Sequence, residues 1–151
     1  MFFQIIETSS AGNCAYFEYE GTRALIDAGV GIRKIRSYLA GRSLELDDID
    51  AVFVTHEHTD HCKSLKYFAG ARTKIFANRL TCESICHNDS ATKPLNWTTF
   101  EDGSDFDFMD ISACGFSVPH DTSDSVGYRF VLGDRKLVWM TDLGKPTELK
   151  V

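Results

Sequence analysis

Long hydrophobic runs are missing from this sequence, and their absence limits where the protein can act. The N-terminal residues MFFQIIETSS contain no basic region, and Glu7 interrupts their short apolar run. We therefore expect no export signal, no membrane-spanning segment and a cytoplasmic protein. An excess of positive charge is missing too, because 16 basic and 22 acidic residues give a formal net charge of −6. This balance excludes a protein that holds nucleic acid by bulk charge alone.

Paired cysteines are also absent, since the chain has 5 cysteines at irregular spacing. Without an export signal, we expect free thiols in a reducing compartment. Cys82, Cys86 and His87 resemble half of a metal-binding motif, but no matching half follows. We therefore expect two thiols one turn apart on a helix, with a surface histidine beside them. The sequence also lacks the G-x-S-x-G, P-loop and deaminase patterns, which excludes the mechanisms that depend on them.

The length of 151 residues favours a single domain, and 43% hydrophobic residues suffice for a core. The segments FFQIIET, CAYFEYE and TRALIDAG are separated by turn-forming residues, which predicts an antiparallel meander. Further along, the patterns predict helices over 32–41, from about His61, and over 79–88. They predict strands over 51–55, 73–78, 97–100 and 106–118, and a hairpin turning at Gly133 and Asp134. Strands with helices inserted between them predict a layered α/β (α+β) fold.

The last residues, TDLGKPTELKV, follow a strand with a turn and then the beginning of a helical pattern. A helix that starts so close to the last residue has too few residues to complete more than its first turns. We therefore expect residues 1–151 to form one domain whose C-terminal part lies outside this sequence.

The stretch THEHTDH, residues 55–61, holds three of the five histidines in the chain. In an extended segment, residues i and i+2 point the same way, so His56 and His58 face one point. Asp60 and His61 lie past the bend and can face a neighbouring point. Imidazole nitrogen and carboxylate oxygen are ligands for zinc and similar metals, so this spacing predicts two adjacent metal sites. The alternative is a polar surface loop in which Thr59 or Asp60 caps a helix, and capping is compatible with metal binding.

THEHTDH resembles the T-H-x-H-x-D-H signature of the metallo-β-lactamase superfamily. ALIDAG (24–29), VPHD (118–121) and MTDLG (140–144) resemble earlier and later segments of that superfamily, in the correct order. The resemblance implies an αββα sandwich, here its N-terminal portion with an incomplete second half. Within the superfamily, SSAGN (9–13), PHD and TDLG together resemble the WalJ-like branch. Members of that branch are associated with exonuclease activity on DNA.

The resemblance also implies a ligand set for two divalent metal ions, with zinc expected and manganese or iron as alternatives. His56, His58 and His120 would hold the first metal, Asp60 and His61 the second, and Asp142 would bridge them. The superfamily pattern needs one more histidine on the second metal, from a later loop. This sequence offers only His87, which precedes His120 and which we expect at the surface near a helix end.

Four further residues have two interpretations each. Asp27 either orients the ligand loops by hydrogen bonds or forms a plain Asp-containing turn. Ser9, Ser10 and Asn13 either line the substrate mouth or serve turn formation alone. Two groups of basic residues, Arg33, Lys34 and Arg36 in one and Lys63 and Lys66 in the other, have the pattern of solvated helix faces.

The metal pattern predicts a hydrolase in which a metal-bound hydroxide attacks and Asp60 helps to orient it. Three functions stay open. The first is a phosphodiesterase acting on DNA, as an exonuclease, or on another phosphodiester. The second is a hydrolase of a small thioester, lactone or β-lactam. The third is a non-catalytic module that binds a metal or a partner. The sequence does not indicate an oligomeric state.

Overall fold

The computed structural model describes residues 1–119 and 124–142. The strands are β1 Phe2–Ser9, β2 Gly12–Tyr19, β3 Thr22–Ile26, β4 Ala51–Phe53, β5 Lys74–Asn78, β6 Asn96–Phe100, β7 Asp105–Phe108, β8 Ile111–Ser117, β9 Val126–Leu132 and β10 Arg135–Trp139. The helices are α1 Ile32–Ala40, α2 Thr59–Cys62 and α3 Arg79–Asn88. Single 3-10 turns occur at Leu46–Asp48, Leu65–Phe68 and Ser90–Thr92. No helix in the described ranges is long and apolar enough to cross a membrane.

The first sheet has six strands in the order β1-β2-β3-β4-β5-β6. β1, β2 and β3 pair antiparallel, which confirms the predicted meander. β3 to β6 then pair in parallel, with helices in the connections. Because parallel strands end at the same edge of a sheet, the residues after β3, β4 and β5 are brought together there.

The second sheet is antiparallel, in the order β10-β9-β8-β7. Strands β9 and β10 form a hairpin that turns at Gly133, so the predicted hairpin is confirmed. The φ of Gly133 is 66°, in the left-handed region that glycine adopts readily. Aromatic side chains fill the space between the sheets. The centre of the Phe53 ring lies 4.9 Å from the centre of the Phe76 ring and 4.8 Å from the centre of the Phe130 ring. These contacts join the strand before the histidine stretch to the second sheet.

A second apolar cluster lies on the other face of the first sheet. It contains Ile35 and Leu39 of α1, Ile85 of α3, and Leu65 and Phe68 of the 3-10 turn, all buried. The layers are therefore helices, sheet and sheet, which agrees with the predicted α/β class. Within residues 1–119 and 124–142, no helix contributes to the cluster between the two sheets.

The structure corrects two predicted boundaries. The helix expected from about His61 is instead the single turn α2, because the backbone N–H of Ser64 does not continue the hydrogen bonds of the helix. Its N–H donates to the carbonyl of Ala28, and its hydroxyl donates to the carbonyl of Val30 at 2.5 Å. The strand expected over 51–55 ends at Phe53, and the N–H of Thr55 donates to the Asp27 carboxylate rather than to a neighbouring strand.

Candidate metal centre

The candidate metal centre lies where several chain segments leave the sheets at one edge. Asp27 follows β3, the stretch from Thr55 to His61 follows β4, and Asp142 follows β10. His56 and His61 are fully buried, whereas the Asp142 side chain is 38% exposed. The site therefore has a closed protein side and an open side, as a site for an external substrate requires.

Three of the predicted ligands converge. One ligand atom each from His56, His61 and Asp142 lies within 4.8 Å of the other two. Oδ2 of Asp142 is 2.7 Å from Nε2 of His61 and 3.6 Å from Nε2 of His56. Asp142 comes from a segment far along the chain from the histidines, so the fold assembles the cluster.

His58 and Asp60 border the same cluster. The ring of His58 is exposed and its centroid lies 4.8 Å from that of the His56 ring. Oδ2 of Asp60 lies 3.3 Å from Nε2 of His61. His120 lies outside the described residues, as do Asp121 of the VPHD segment and residues 143–151. The predicted ligands that the structure describes therefore lie close together at one edge of the sheets. They are His56, His58, Asp60, His61 and Asp142.

Asp27 holds this group from beneath. Its carboxylate is fully buried and accepts from the N–H of Thr55 at 2.8 Å and from the Thr55 hydroxyl at 2.9 Å. Nδ1 of His61 lies 2.7 Å from Oδ2 of Asp27. Because a carboxylate only accepts, Nδ1 of His61 carries the proton, and its Nε2 is the nitrogen that faces Asp142. The orienting interpretation of Asp27 accounts for these contacts, whereas a plain turn does not.

Thr55 contacts both buried histidines, and the sequence pattern did not assign it a role. Its hydroxyl lies 3.0 Å from Nδ1 of His56 and 3.3 Å from Nδ1 of His61. Since this hydroxyl donates to Asp27, it accepts from Nδ1–H of His56, which leaves Nε2 of that ring towards Asp142. The only signal is the threonine that opens THEHTDH, and no rule of spacing assigns it a role.

Burial and charge shift the pKa values of the Asp27–His61 pair. Burial raises the pKa of Asp27, although the hydrogen bond to His61 and the bonds from Thr55 act in the opposite direction. Burial by itself lowers the pKa of His61. The hydrogen bond to Asp27 and the charges of Asp27, Asp60 and Asp142 outweigh it, so the pKa of His61 is raised.

Asn13 joins the β1–β2 turn to the metal centre. Its side-chain amide donates to the carbonyl of Ser9 at 2.9 Å and lies 3.3 Å from Oδ2 of Asp60. The same nitrogen is 3.2 Å from Nε2 of His61. The Ser9 hydroxyl bonds to Glu7 at 2.9 Å and so serves the turn, while Ser10 is exposed. Of the three residues predicted at the substrate mouth, Asn13 is the one in contact with the cluster.

The backbone of the ligand loop is packed against glycine. A Cβ built on Gly29 would lie 1.6 Å from the carbonyl oxygen of Asp60, so no other residue fits without displacing the loop. The N–H of Ala28 donates to the carbonyl of His61 at 2.9 Å. The ALIDAG segment thus fixes Asp60 and His61 by direct backbone contact.

The donor set fits a divalent metal of the zinc type. Two imidazole nitrogens and carboxylate oxygens are its usual ligands, at about 2.0–2.2 Å from the ion. Ligand atoms on one such ion lie within about 4 Å of each other, and the spacing of 2.7 to 3.6 Å around Asp142 suits that range. The protonated Nδ1 of His61 against a carboxylate is the arrangement found behind metal-ligating histidines.

No cysteine belongs to the group formed by His56, His61 and Asp142 in the part of the chain that the structure describes. All five are free thiols. Cys62 follows His61, and burial raises its pKa to about 12. Burial likewise raises the pKa of Cys82 to about 12, and Cys82 and Cys86 lie one turn apart on α3 as expected. His87 is exposed in the last turn of that helix, also as expected.

Comparison with known proteins places this geometry in a family. Residues 22–150 match the β-lactamase superfamily domain. The chain is 33% identical over 149 residues to exodeoxyribonuclease WalJ of Streptococcus pneumoniae, covering 94% of this chain and 54% of that protein. It is 29% identical over 143 residues to exodeoxyribonuclease YycJ of Bacillus anthracis, with the same coverage. The chain therefore spans about half the length of the curated relatives it matches.

The fold agrees with the sequence match. A metallo-β-lactamase with a HARLDQ motif from Cronobacter sakazakii superposes with a TM-score of 0.74 at 16% identity. The superposition covers 94% of this chain and 56% of that one. The layered sheets, the histidine stretch after β4 and the family match agree, and the chain belongs to the metallo-β-lactamase superfamily.

Proposed function

We propose that this chain carries the metal centre of a metal-dependent phosphodiesterase that degrades DNA as an exonuclease. The observation that carries the proposal is the convergence of His56, His61 and Asp142 over a buried Asp27–Thr55 support. The relatives named exodeoxyribonucleases favour DNA over the small thioesters, lactones and β-lactams that the same chemistry could cleave.

The proposed ligands divide into two groups. His56, His58 and His120 would hold one divalent ion, Asp60 and His61 the other, and Asp142 would lie between them. Zinc is the proposed metal because the donors are imidazole and carboxylate, with manganese or iron as alternatives. Two such ions would lower the pKa of a bound water and draw charge from a phosphoryl oxygen.

The protein's own residues fix the geometry of that chemistry. The buried Asp27 carboxylate and the Thr55 hydroxyl hold the rings of His56 and His61 with Nε2 towards the open side. Asp60 is half-buried beside His61, and the amide of Asn13 restrains one of its oxygens. A carboxylate in this place can accept a hydrogen bond from the attacking water and orient it towards the phosphorus.

A substrate panel tests the proposal. Purified protein with zinc or manganese is incubated with duplex DNA bearing a 5′-phosphate, single-stranded DNA, RNA, bis(p-nitrophenyl) phosphate, a thioester and a cephalosporin. We expect DNA cleavage that a chelator abolishes and that Asp60→Ala reduces at least a hundredfold, while circular dichroism shows the fold retained. His87→Ala, at an exposed histidine away from the centre, is the control and should cleave like the wild type. Efficient turnover of the thioester or cephalosporin without DNA cleavage would replace this proposal.

A further inference from the structure

Two basic groups that are separate in the sequence meet around one groove. The groove is lined by Gly31, Ile32, Arg33, Lys63, Ser64, Lys66 and Tyr67. Arg33 comes from the start of α1, while Lys63, Lys66 and Tyr67 follow α2. All four of these side chains are exposed. The sequence predicted two separate, solvated basic faces. The fold instead places residues of both groups side by side around one groove. We call this surface the basic groove.

The basic groove begins next to the metal centre. Lys63 lies two residues after His61, and two residues span at most about 7 Å. Its ammonium group donates to the carbonyl of Ala11 at 2.9 Å, in the turn that precedes Asn13 of β2. Ser64 and Gly31 form part of the groove, and the Ser64 N–H donates to the carbonyl of Ala28, next to Asp27. The segments that hold the ligands thus continue directly into the groove.

The charge of the groove is only partly compensated. Lys66 lies 3.7 Å from a carboxylate oxygen of Asp89, and the neighbouring Lys34 is paired with Glu7. Lys63 bonds to a neutral carbonyl, and Glu7, whose charge also acts on Lys63, is already paired with Lys34. In a chain with a net charge of −6, this local excess of cations lies beside a centre proposed to cleave an anion.

An aromatic ring also lines the groove. Tyr67 is 46% exposed, a large value for this residue type. The Arg36 guanidinium lies 5.8 Å and the Lys66 ammonium 5.9 Å from the centre of its ring. Cations beside an exposed aromatic ring are the combination by which proteins hold single-stranded nucleic acid, with the charges on the backbone and the ring against a base.

We propose that the basic groove binds the phosphate backbone of a single DNA strand and leads it to the metal centre. Arg33, Lys63 and Lys66 contact successive phosphates, and Tyr67 packs against an unpaired base. This inference rests on the proposed function and names the path of its substrate. It also explains how an acidic protein holds a polyanion: the cations are local, and their number sets the salt dependence of binding.

The test measures binding separately from cleavage. A fluorescent single-stranded phosphorothioate oligonucleotide, which resists hydrolysis, is titrated with zinc-loaded protein, and anisotropy is followed at several salt concentrations. The double variant Arg33→Ala/Lys66→Ala leaves the contact between Lys63 and Ala11 intact. We expect it to lose at least tenfold in affinity at low salt. The slope of log affinity against log salt should fall by about 0.7 for each phosphate contact removed.

Matched variants separate the groove from bulk charge and from loss of the ring. Arg72→Ala/Arg135→Ala removes two exposed cations elsewhere and should bind like the wild type. Tyr67→Ala should weaken binding severalfold, while Tyr67→Phe, which keeps the ring, should not. Wild-type affinity in the Arg33→Ala/Lys66→Ala variant, or an equal loss in Arg72→Ala/Arg135→Ala, would overturn the inference.

A small substrate distinguishes failure of the groove from failure of the proposed function. Bis(p-nitrophenyl) phosphate carries one phosphodiester and no strand that could fill the groove, so the Arg33→Ala/Lys66→Ala variant should lose a smaller fraction of its turnover of this diester than of its DNA affinity. A wild type that hydrolyses neither this diester nor DNA would refute the proposed function, and the anisotropy titration would still decide whether the groove binds a strand. Equal loss of diester turnover and DNA binding in the double variant would contradict the groove's separate role.

Discussion

Oδ2 of Asp27 and Nδ1 of His61 lie 2.7 Å apart, and both side chains are fully buried. Thirty-four positions separate the two residues, and Asp27 itself has a φ of 59°, in the left-handed region that costs energy outside glycine. The same carboxylate also receives two bonds from Thr55. Asp27 is therefore the point on which the orientation of the buried histidines depends.

Replacing Asp27 with asparagine should weaken metal binding by about 10- to 100-fold. An asparagine amide offers an N–H₂ group where Thr55 and His61 both need an acceptor, so one buried donor loses its partner. Zinc affinity measured by competition with a chromophoric chelator checks this. Asp47→Asn, at an exposed aspartate, is the matched control, and equal affinities for the two variants would show that Asp27 does not support the ligands.

Gly29→Ala should destabilise the protein and displace Asp60. The added Cβ would meet the Asp60 carbonyl at 1.6 Å, whereas a Cβ on Gly31 has nothing within 4 Å. Overpacking of this kind costs about 1–3 kcal/mol or more. Thermal unfolding of the two variants gives the comparison directly, because Gly31→Ala should melt like the wild type. A Gly29→Ala protein with unchanged melting and unchanged zinc affinity would show that the loop does not depend on this contact.

Asn13→Ala should lower turnover through the position of Asp60. The Asn13 amide restrains both Asp60 and the β1–β2 turn, and its removal frees a half-buried carboxylate next to His61. We expect kcat for a phosphodiester to fall by about tenfold, with KM little changed, since positioning acts mainly in the transition state. Ser10→Ala, at an exposed position in the same turn, should keep the wild-type kcat. A rise in KM alone would place Asn13 in substrate binding instead.

Tyr128→Phe tests the connection between the second sheet and the ligand loop. The buried hydroxyl donates to the carbonyl of Val54 at 2.7 Å, one residue before Thr55. Its removal takes this hydrogen bond from the Val54 carbonyl and should cost about 1 kcal/mol of unfolding free energy. Urea denaturation measures the difference, and Tyr67→Phe, on an exposed ring, should show none. A loss in both variants would indicate a general effect of removing a tyrosine hydroxyl.

The sequence was most informative where chemistry and periodicity are local. The meander of β1 to β3, the helix α1 and the hairpin at Gly133 follow from patterns within a few residues, and all three are confirmed. THEHTDH predicted a candidate ligand loop because closely spaced histidines directly after a buried strand are typical of a metal site. The bounds of α2 were wrong because Ser64 bonds to the carbonyls of Ala28 and Val30, thirty-four or more residues earlier.

The supporting contacts of the site could not be read in the same way. Thr55 acts through Asp27 and His56, and its role depends on β3 and β4 being neighbours in the sheet. The basic groove likewise exists only because α1 and the segment after α2 pack side by side. In both cases the residue types in the sequence suggested candidate residues, and the tertiary packing determined which of these residues contact each other.

The central claim is that His56, His61 and Asp142 bind a divalent metal, and anomalous diffraction from zinc-soaked crystals tests it most directly. We predict one zinc peak at about 2.0–2.1 Å from Nε2 of His56 and a second at the same distance from Nε2 of His61, each at about 2.0–2.2 Å from a carboxylate oxygen of Asp142. We also predict that His61→Ala abolishes zinc binding at the Asp60 side, whereas His87→Ala does not. Zinc found only at Cys82, Cys86 and His87, or no peak beside Asp142 at saturating zinc, would contradict the claim.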